Sequence, residues 1–230
     1  MLTKFTALIV AAKMEQKQNI IIHLWCCPRT LSTATLYSFS RRPDTIAIDE
    51  PLYAHYLDRN PELSRPYREK LLQDHNKRGA EVLQQLSTRH TAGKNIIVCK
   101  HITKQLEGID RKHLFGANIK HVFLIRDPLD CIISWNDREN IHQEGCNMET
   151  LCFPQMVQLF SEIRSHTKTL PIVVDSNLLK RNPREILVEV CSRLSIPFFE
   201  EQLSWPAGPK PEVDGYVNLY VVLDMHVVIL

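Results

Sequence analysis

Four short polar runs hold the groups of this chain that can do chemistry: Arg29-Thr30 with Ser32 and Thr33, Asp49-Glu50, Lys100-His101, and Arg126-Asp127. Arginine presents a planar, permanently charged fork that matches an oxyanion, and neighbouring hydroxyls add donors. A carboxylate and an imidazole supply proton acceptors. The combination describes a site that grips a phosphate-like anion and accepts a proton beside it.

Each run follows an apolar stretch of strand length. Residues 19–25, Asn-Ile-Ile-Ile-His-Leu-Trp, read as a buried strand, and residues 45–48, 95–99 and 120–125 repeat the pattern. Residues 171–175 read as a fifth strand. Apolar spacing predicts helices over 34–39, 75–86, 150–168 and 182–194, and Pro128 opens another where its missing N–H costs nothing. Residues 52–68 read as short helix and loop, and 138–150 as loop. Nearly continuous apolar strands alternating with helices define an α/β chain, a three-layer, mainly parallel sheet flanked by helices. Strand carboxyl ends of such a sheet lie along one edge, so the four polar runs converge there.

Residues 27–33 lead from the first strand into the first helix, 34–39. Unpaired N–H groups at a helix start favour an anion, and Arg29, Ser32 and Thr33 strengthen that reading. The stretch also reads as an ordinary strand-to-helix turn capped by serine or threonine. It is not a Walker A loop, because Gly-x-x-x-x-Gly-Lys-Ser/Thr is absent and the loop holds no glycine.

The chain has 230 residues, 44% hydrophobic and 23% charged, which suits one globular domain with decorations. A net charge of +2 argues against coating nucleic acid by bulk attraction. Seven scattered cysteines without zinc-ligand spacing read as free thiols of a reducing compartment, and no metal is expected. No internal run is long enough to span a membrane. A cytoplasmic location is expected, with a secretory signal over residues 5–12 as the alternative. Residues 1–18 are expected to form an extension, 19–215 the α/β domain, and 216–230 an atypical apolar tail that reads as a last strand or an altered terminus.

Arg126-Asp127-Pro128-Leu129-Asp130, with Ser134 eight residues after the arginine, resembles the 3′-phosphate-binding motif of sulfotransferases. Those are α/β enzymes of P-loop NTPase-like fold that use 3′-phosphoadenosine 5′-phosphosulfate (PAPS). Cys27-Pro28-Arg29-Thr30-Leu31-Ser32-Thr33 resembles that family's 5′-phosphosulfate loop, usually Pro-Lys-Ser-Gly-Thr-Thr. Arg29 stands at the lysine position, and Leu31 where glycine is usual. Asp175, Leu178, Arg181-Asn182-Pro183 and Leu194-Ser195-Ile196-Pro197-Phe198 resemble later elements in the same order. With Arg41-Arg42-Pro43, Asp49-Glu50-Pro51 and Ser204-Trp205-Pro206, the run is similar to sulfotransferase-like proteins. In plants these are fused to, or named after, branched-chain aminotransferases, although no aminotransferase segment is visible here. The likeness spans roughly residues 20–215, and two features depart from it. The cytosolic enzymes' C-terminal Arg-Lys-Gly motif is not visible, and the tail beyond Gly215 is apolar where relatives are rich in tryptophan and tyrosine.

The resemblance implies PAPS-dependent transfer of a sulfuryl group to a hydroxyl or amine of a small-molecule or carbohydrate acceptor. It assigns Arg29, Thr30, Ser32 and Thr33 to the phosphosulfate loop, with Arg29 stabilising the leaving group, and Arg126 and Ser134 to the 3′-phosphate. Glu50 matches the acidic base of tyrosylprotein and some carbohydrate sulfotransferases, and His101 lies near the histidine of the cytosolic enzymes. Glu50 is favoured as base, with Lys100-His101 holding acceptor or sulfonate. The plain structural alternatives are an ion pair of Glu50 with Arg29 or Arg42 and a satisfied strand-end His101. His23 reads as core, Trp135 as core or cofactor wall, and the tyrosine-rich segment 53–67 as acceptor pocket. Two other functions compete: a nucleotide-binding module on the same fold without catalysis, and a P-loop kinase, which the missing lysine-serine pair disfavours.

Overall fold

The computed structural model describes residues 19–89, 91–136, 145–208 and 213–215. The expected N-terminal extension and apolar tail lie outside the described residues, as does most of the expected loop over 138–150.

Six strands form one sheet in the order β5-β4-β1-β3-β2-β6. They are β1 (Ile20–Cys26), β2 (Thr45–Asp49), β3 (Ile96–Ile102), β4 (Ile119–Ile125), β5 (Ile172–Asp175) and β6 (Val213–Gly215). Every pairing is parallel. The helices are α1 (Ser32–Ser40), α2 (Tyr53–Arg59), α3 (Arg68–Asp74), α4 (Gly79–Thr88), α5 (Pro128–Asn136), α6 (Phe153–Thr167), α7 (Ser176–Arg181) and α8 (Pro183–Leu194). The chain crosses from β3, on one side of β1, to β4 on the other, and a crevice opens at the carboxyl end of β1.

Strand alternation divides the apolar residues between two cores. Leu24 and Cys26 of β1 point to the face covered by α1 and α8, where Leu36, Phe39, Leu187 and Leu194 pack. Ile21 and Trp25 point to the other face, against Leu83 of α4 and Leu159 and Ile163 of α6. Each such aliphatic or aromatic side chain contributes about 1.5–3 kcal/mol on full burial, so the sheet is held from both sides.

Three elements differ from the sequence expectation. The helix expected over 75–86 begins at Gly79, because His75 is extended and the Asn76 side chain accepts from the Arg78 N–H at 2.8 Å, forming a turn. Gly79 then passes so close to Ile109 that a Cβ there would lie 2.3 Å from its terminal methyl. A six-residue helix, α7, precedes the expected one and is capped by Asp175, whose carboxylate accepts from the N–H groups of Asn177 and Leu178. The sixth strand, β6, is only three residues long and leaves no alternating pattern to read.

Candidate active site

The loop after β1 turns sharply because two of its residues take left-handed backbone, Arg29 at φ 69° and Leu31 at φ 57°. That conformation favours glycine, which explains why a glycine suits the position of Leu31. The hydroxyls do not cap the helix that follows: α1 has no side-chain cap at Leu31 and no carboxylate in its first turn. Thr30 is buried, donating back to the Cys27 carbonyl at 2.8 Å, while its own carbonyl accepts from Ser176 of α7 at 2.7 Å. The reading of a turn capped by serine or threonine is therefore corrected, and the Thr30 hydroxyl serves the loop's own shape. All of α1 is buried except Thr33, which faces the crevice with Ser32.

Arg29 links this loop to the β4–α5 connection. Its Nε donates to the Ser134 hydroxyl at 3.0 Å and to the Ser134 carbonyl at 3.1 Å. Arg126 reaches the same loop from the end of β4, its Nη1 donating to the Arg29 carbonyl at 2.9 Å. The two motifs are thus one hydrogen-bonded unit, although they lie about a hundred residues apart. Arg126 Nε is buried without a hydrogen-bond partner among the described residues, and Asp130 stands 3.8 Å from it, beyond hydrogen-bond reach.

Opposite Arg29 stands Glu50, in a turn of positive φ just past β2. Its Oε1 lies 2.8 Å from Lys100 Nζ, and its Oε2 accepts from Gln105 Nε2 at 2.5 Å. Lys100 also meets Asp49 at 2.6 Å. Burial favours the neutral amine, but the Asp49 and Glu50 carboxylates outweigh it, so the Lys100 ammonium is held above its usual range. The ion pair of Glu50 is therefore with Lys100, not with Arg29 or Arg42. Arg42 is buried elsewhere, paired with Asp44 at 2.9 Å and bonded to Gln202.

Arg29, Ser32, Thr33, Glu50, Lys100, Gln105 and Trp135 share the walls of one cleft of about 200 Å³, with Tyr53 and Tyr56 at its side. Its charged lining is Arg29, Arg65, Lys100 and Lys104 against the single carboxylate of Glu50, which suits an anionic ligand. Lys104, Gln105 and Arg65 were not singled out by the sequence reading, because nothing in their local pattern marks them.

His101 does not reach this cleft. It is paired in register with Trp25 and lies on the opposite face of the sheet from Lys100. There His23 Nδ1 lies 3.0 Å from His101 Nε2, and the Trp25 indole stacks on His101 at 4.5 Å. Trp25 Nε1 donates to His121 Nδ1 at 3.1 Å, so His121 Nε2 carries the proton that the Leu114 carbonyl accepts. Burial, then the Lys100 charge and His121, pushes His101 down to about 3. It is a neutral core residue, and the expectation that it touches acceptor or sulfonate is corrected.

A sulfotransferase domain family matches residues 20–222 of the chain. Two Arabidopsis thaliana proteins, branched-chain-amino-acid aminotransferase-like proteins 1 and 2, are 37% and 36% identical to it over 196 residues. The match covers 85% of this chain and 33% of each relative, so the chain spans about a third of the length of the curated relatives it matches. Among solved structures, the sulfotransferase domain of the Synechococcus PCC 7002 olefin synthase aligns with TM-score 0.54 at 19% identity, covering 84% of this chain and 79% of that one. The sulfotransferase domain of the curacin biosynthetic pathway aligns at 0.52 and 15% identity, covering 89% and 83%. A sulfotransferase from Alicyclobacillus acidocaldarius aligns at 0.51 and 12% identity, covering 76% and 81%. At these identities the structural likeness establishes a shared fold.

Proposed function

The chain belongs to the sulfotransferase domain family, and from that premise we propose that it transfers a sulfuryl group from PAPS to a hydroxyl or amine of an acceptor. The observation that carries this reading is the double tie between the two expected nucleotide contacts, Arg29 to Ser134 and Arg126 to the Arg29 carbonyl. A nucleotide phosphorylated at both its 3′ and 5′ ends needs two anion sites at a fixed separation, and bonds that tie the two motifs together support that reading.

The residues present fit such a ligand. The start of α1 is uncapped and free of carboxylates, the cleft lining is cationic, and Arg126 retains a buried N–H without a hydrogen-bond partner among the described residues. Ser32, Thr33 and Arg29 would hold the 5′ end; Arg126 and Ser134 would hold the 3′-phosphate. When bound, PAPS supplies a sulfuryl group on a phosphate leaving group. Glu50 takes the proton of the acceptor hydroxyl, a role worth about 10²–10⁴ in rate. Gln105 and Lys100 fix the orientation of that carboxylate, and Asp49 helps keep Lys100 charged. Arg29 would offset negative charge on the phosphate leaving group. The seven free cysteines fit a reducing, cytoplasmic compartment.

The test is thermal stabilisation by adenosine 3′,5′-bisphosphate, with ATP-magnesium and 5′-AMP as controls. A ligand at a hundred times its Kd stabilises by about 2.7 kcal/mol. Stabilisation specific to the bisphosphate, lost in Arg126→Ala, is expected. A response to ATP-magnesium alone would replace this reading with a kinase, and no response would end the nucleotide reading.

A further inference from the structure

Resting on the sulfotransferase reading, we propose that the acceptor is a hydroxyl-rich, non-anionic molecule of the sugar or aminosugar kind. It binds in a polar groove of about 610 Å³ between α2, the turn at Thr103–Leu106 and the start of α6. Volumes of that size are ordinary for small-molecule sites.

The groove adjoins the anion cleft. Tyr56 and Lys104 line both, and the Lys104 ammonium lies over the Tyr56 ring at 5.4 Å from its centre. A molecule in the groove therefore reaches the cleft past that pair. The two groups that hold the Glu50 carboxylate, Lys100 and Gln105, both line the cleft, so the base faces the side from which this molecule arrives.

The groove walls differ in sign from the cleft. The side-chain carboxylates of Glu62, Glu107 and Glu149 line the groove, and none makes an ion pair or hydrogen bond with the described residues; Glu107 and Glu149 are bonded through their backbone alone. Of the two cations present, Arg111 is already paired with Glu162 at 2.6 Å, which leaves Lys104 at the junction. Anionic donor and non-anionic acceptor are thereby sorted into adjoining spaces by charge. The amides of Asn60, Asn147, Gln155 and Gln158 share the lining with Thr103, Thr150 and two leucines, and Gln155 keeps a buried Oε1 without a hydrogen-bond partner among the described residues. A ligand hydroxyl satisfies such an oxygen, and carboxylates and amides around an aromatic ring are the groups that bind vicinal hydroxyls.

A second cavity of about 370 Å³ also borders Glu50, but Ile48, Pro51, Leu71 and Val82 stand in its walls beside His75, Asn76, Gln85 and Arg89, and neither Lys100 nor Gln105 lines it. It is the route that an apolar phenol would take.

The experiment supplies the full chain with PAPS and four probes: cellobiose, glucosamine, glucuronic acid and 4-nitrophenol. Sulfated products are measured by mass, and adenosine 3′,5′-bisphosphate affinity is measured separately by calorimetry. Cellobiose and glucosamine are expected to be sulfated at least tenfold faster than glucuronic acid. Gln155→Leu should raise their KM at least fivefold with bisphosphate affinity unchanged, which also shows the variant is folded. Glu107→Lys with Glu149→Lys should narrow the discrimination against glucuronic acid. Preference for 4-nitrophenol, or sugar turnover indifferent to Gln155→Leu, overturns the proposal. So does absence of sugar product from protein that binds the bisphosphate, and that result leaves the PAPS reading standing. Loss of bisphosphate binding itself removes both.

Discussion

Lys100 and Glu50 form a buried ion pair, Nζ to Oε1 2.8 Å, at the point where the sheet meets the cleft. Asp49 lies 2.6 Å from the same ammonium, so one cation stands between two carboxylates with side-chain exposures of 2% and 11%. The pair serves both the fold and the proposed base, because Lys100 orients the Glu50 carboxylate and neutralises the buried end of β2.

Lys100→Met should therefore cost about 3–5 kcal/mol, since it leaves two largely buried carboxylates without their cation. Urea unfolding measures it. Adding Asp49→Asn should recover part of the loss, and a cost below about 1 kcal/mol for the single variant would show that the pair is solvated after all.

Glu50→Gln keeps the volume and the contact to Gln105 while removing the proton acceptor. Transfer should fall about 10²–10⁴-fold at saturating donor, with bisphosphate affinity within about twofold of the parent. A variant that kept full turnover would exclude Glu50 as the base.

The histidine stack predicts acid sensitivity. Burial pushes His101 down to about 3 and His121 down to about 4; burial, then His101 and His121, holds His23 well below the usual imidazole range. In the unfolded chain all three titrate near 6.5, so below that pH the unfolded state binds more protons and stability falls. The slope approaches about 4 kcal/mol per pH unit as three protons become involved, falls to about 1 at pH 7 and fades by about pH 8. Urea midpoints between pH 7.5 and 5 should show the bend; a flat profile would contradict the neutral buried stack.

Arg42 is the second buried cation. It forks onto Asp44, donates to Gln202 Oε1 at 2.9 Å and reaches the Pro197 carbonyl, pinning the chain after α8 to the start of β2. Arg42→Met should cost about 3–5 kcal/mol, and Arg42→Lys should recover little, because an ammonium cannot reproduce the fork. Equal stability of the lysine variant and the parent would show that charge alone suffices.

Much of this architecture was legible in the chain. Apolar runs such as Ile20-Ile21-Ile22 and Val122-Phe123-Leu124 read as buried strands because a parallel sheet covered on both faces asks for little else, and the order of Arg29, Glu50 and Arg126 at strand ends placed them on one edge. What the sequence could not decide was parity and depth. Lys100 and His101 are neighbours in the chain and were read together; in β3 they face opposite sides of the sheet, so one joins Glu50 in the cleft and the other joins His23 and Trp25 in the core. Thr30, Gln105 and Lys104 were settled in the same way. Whether a side chain turns inward or lines a cleft depends on contacts with residues far away in sequence, and local spacing carries no record of those.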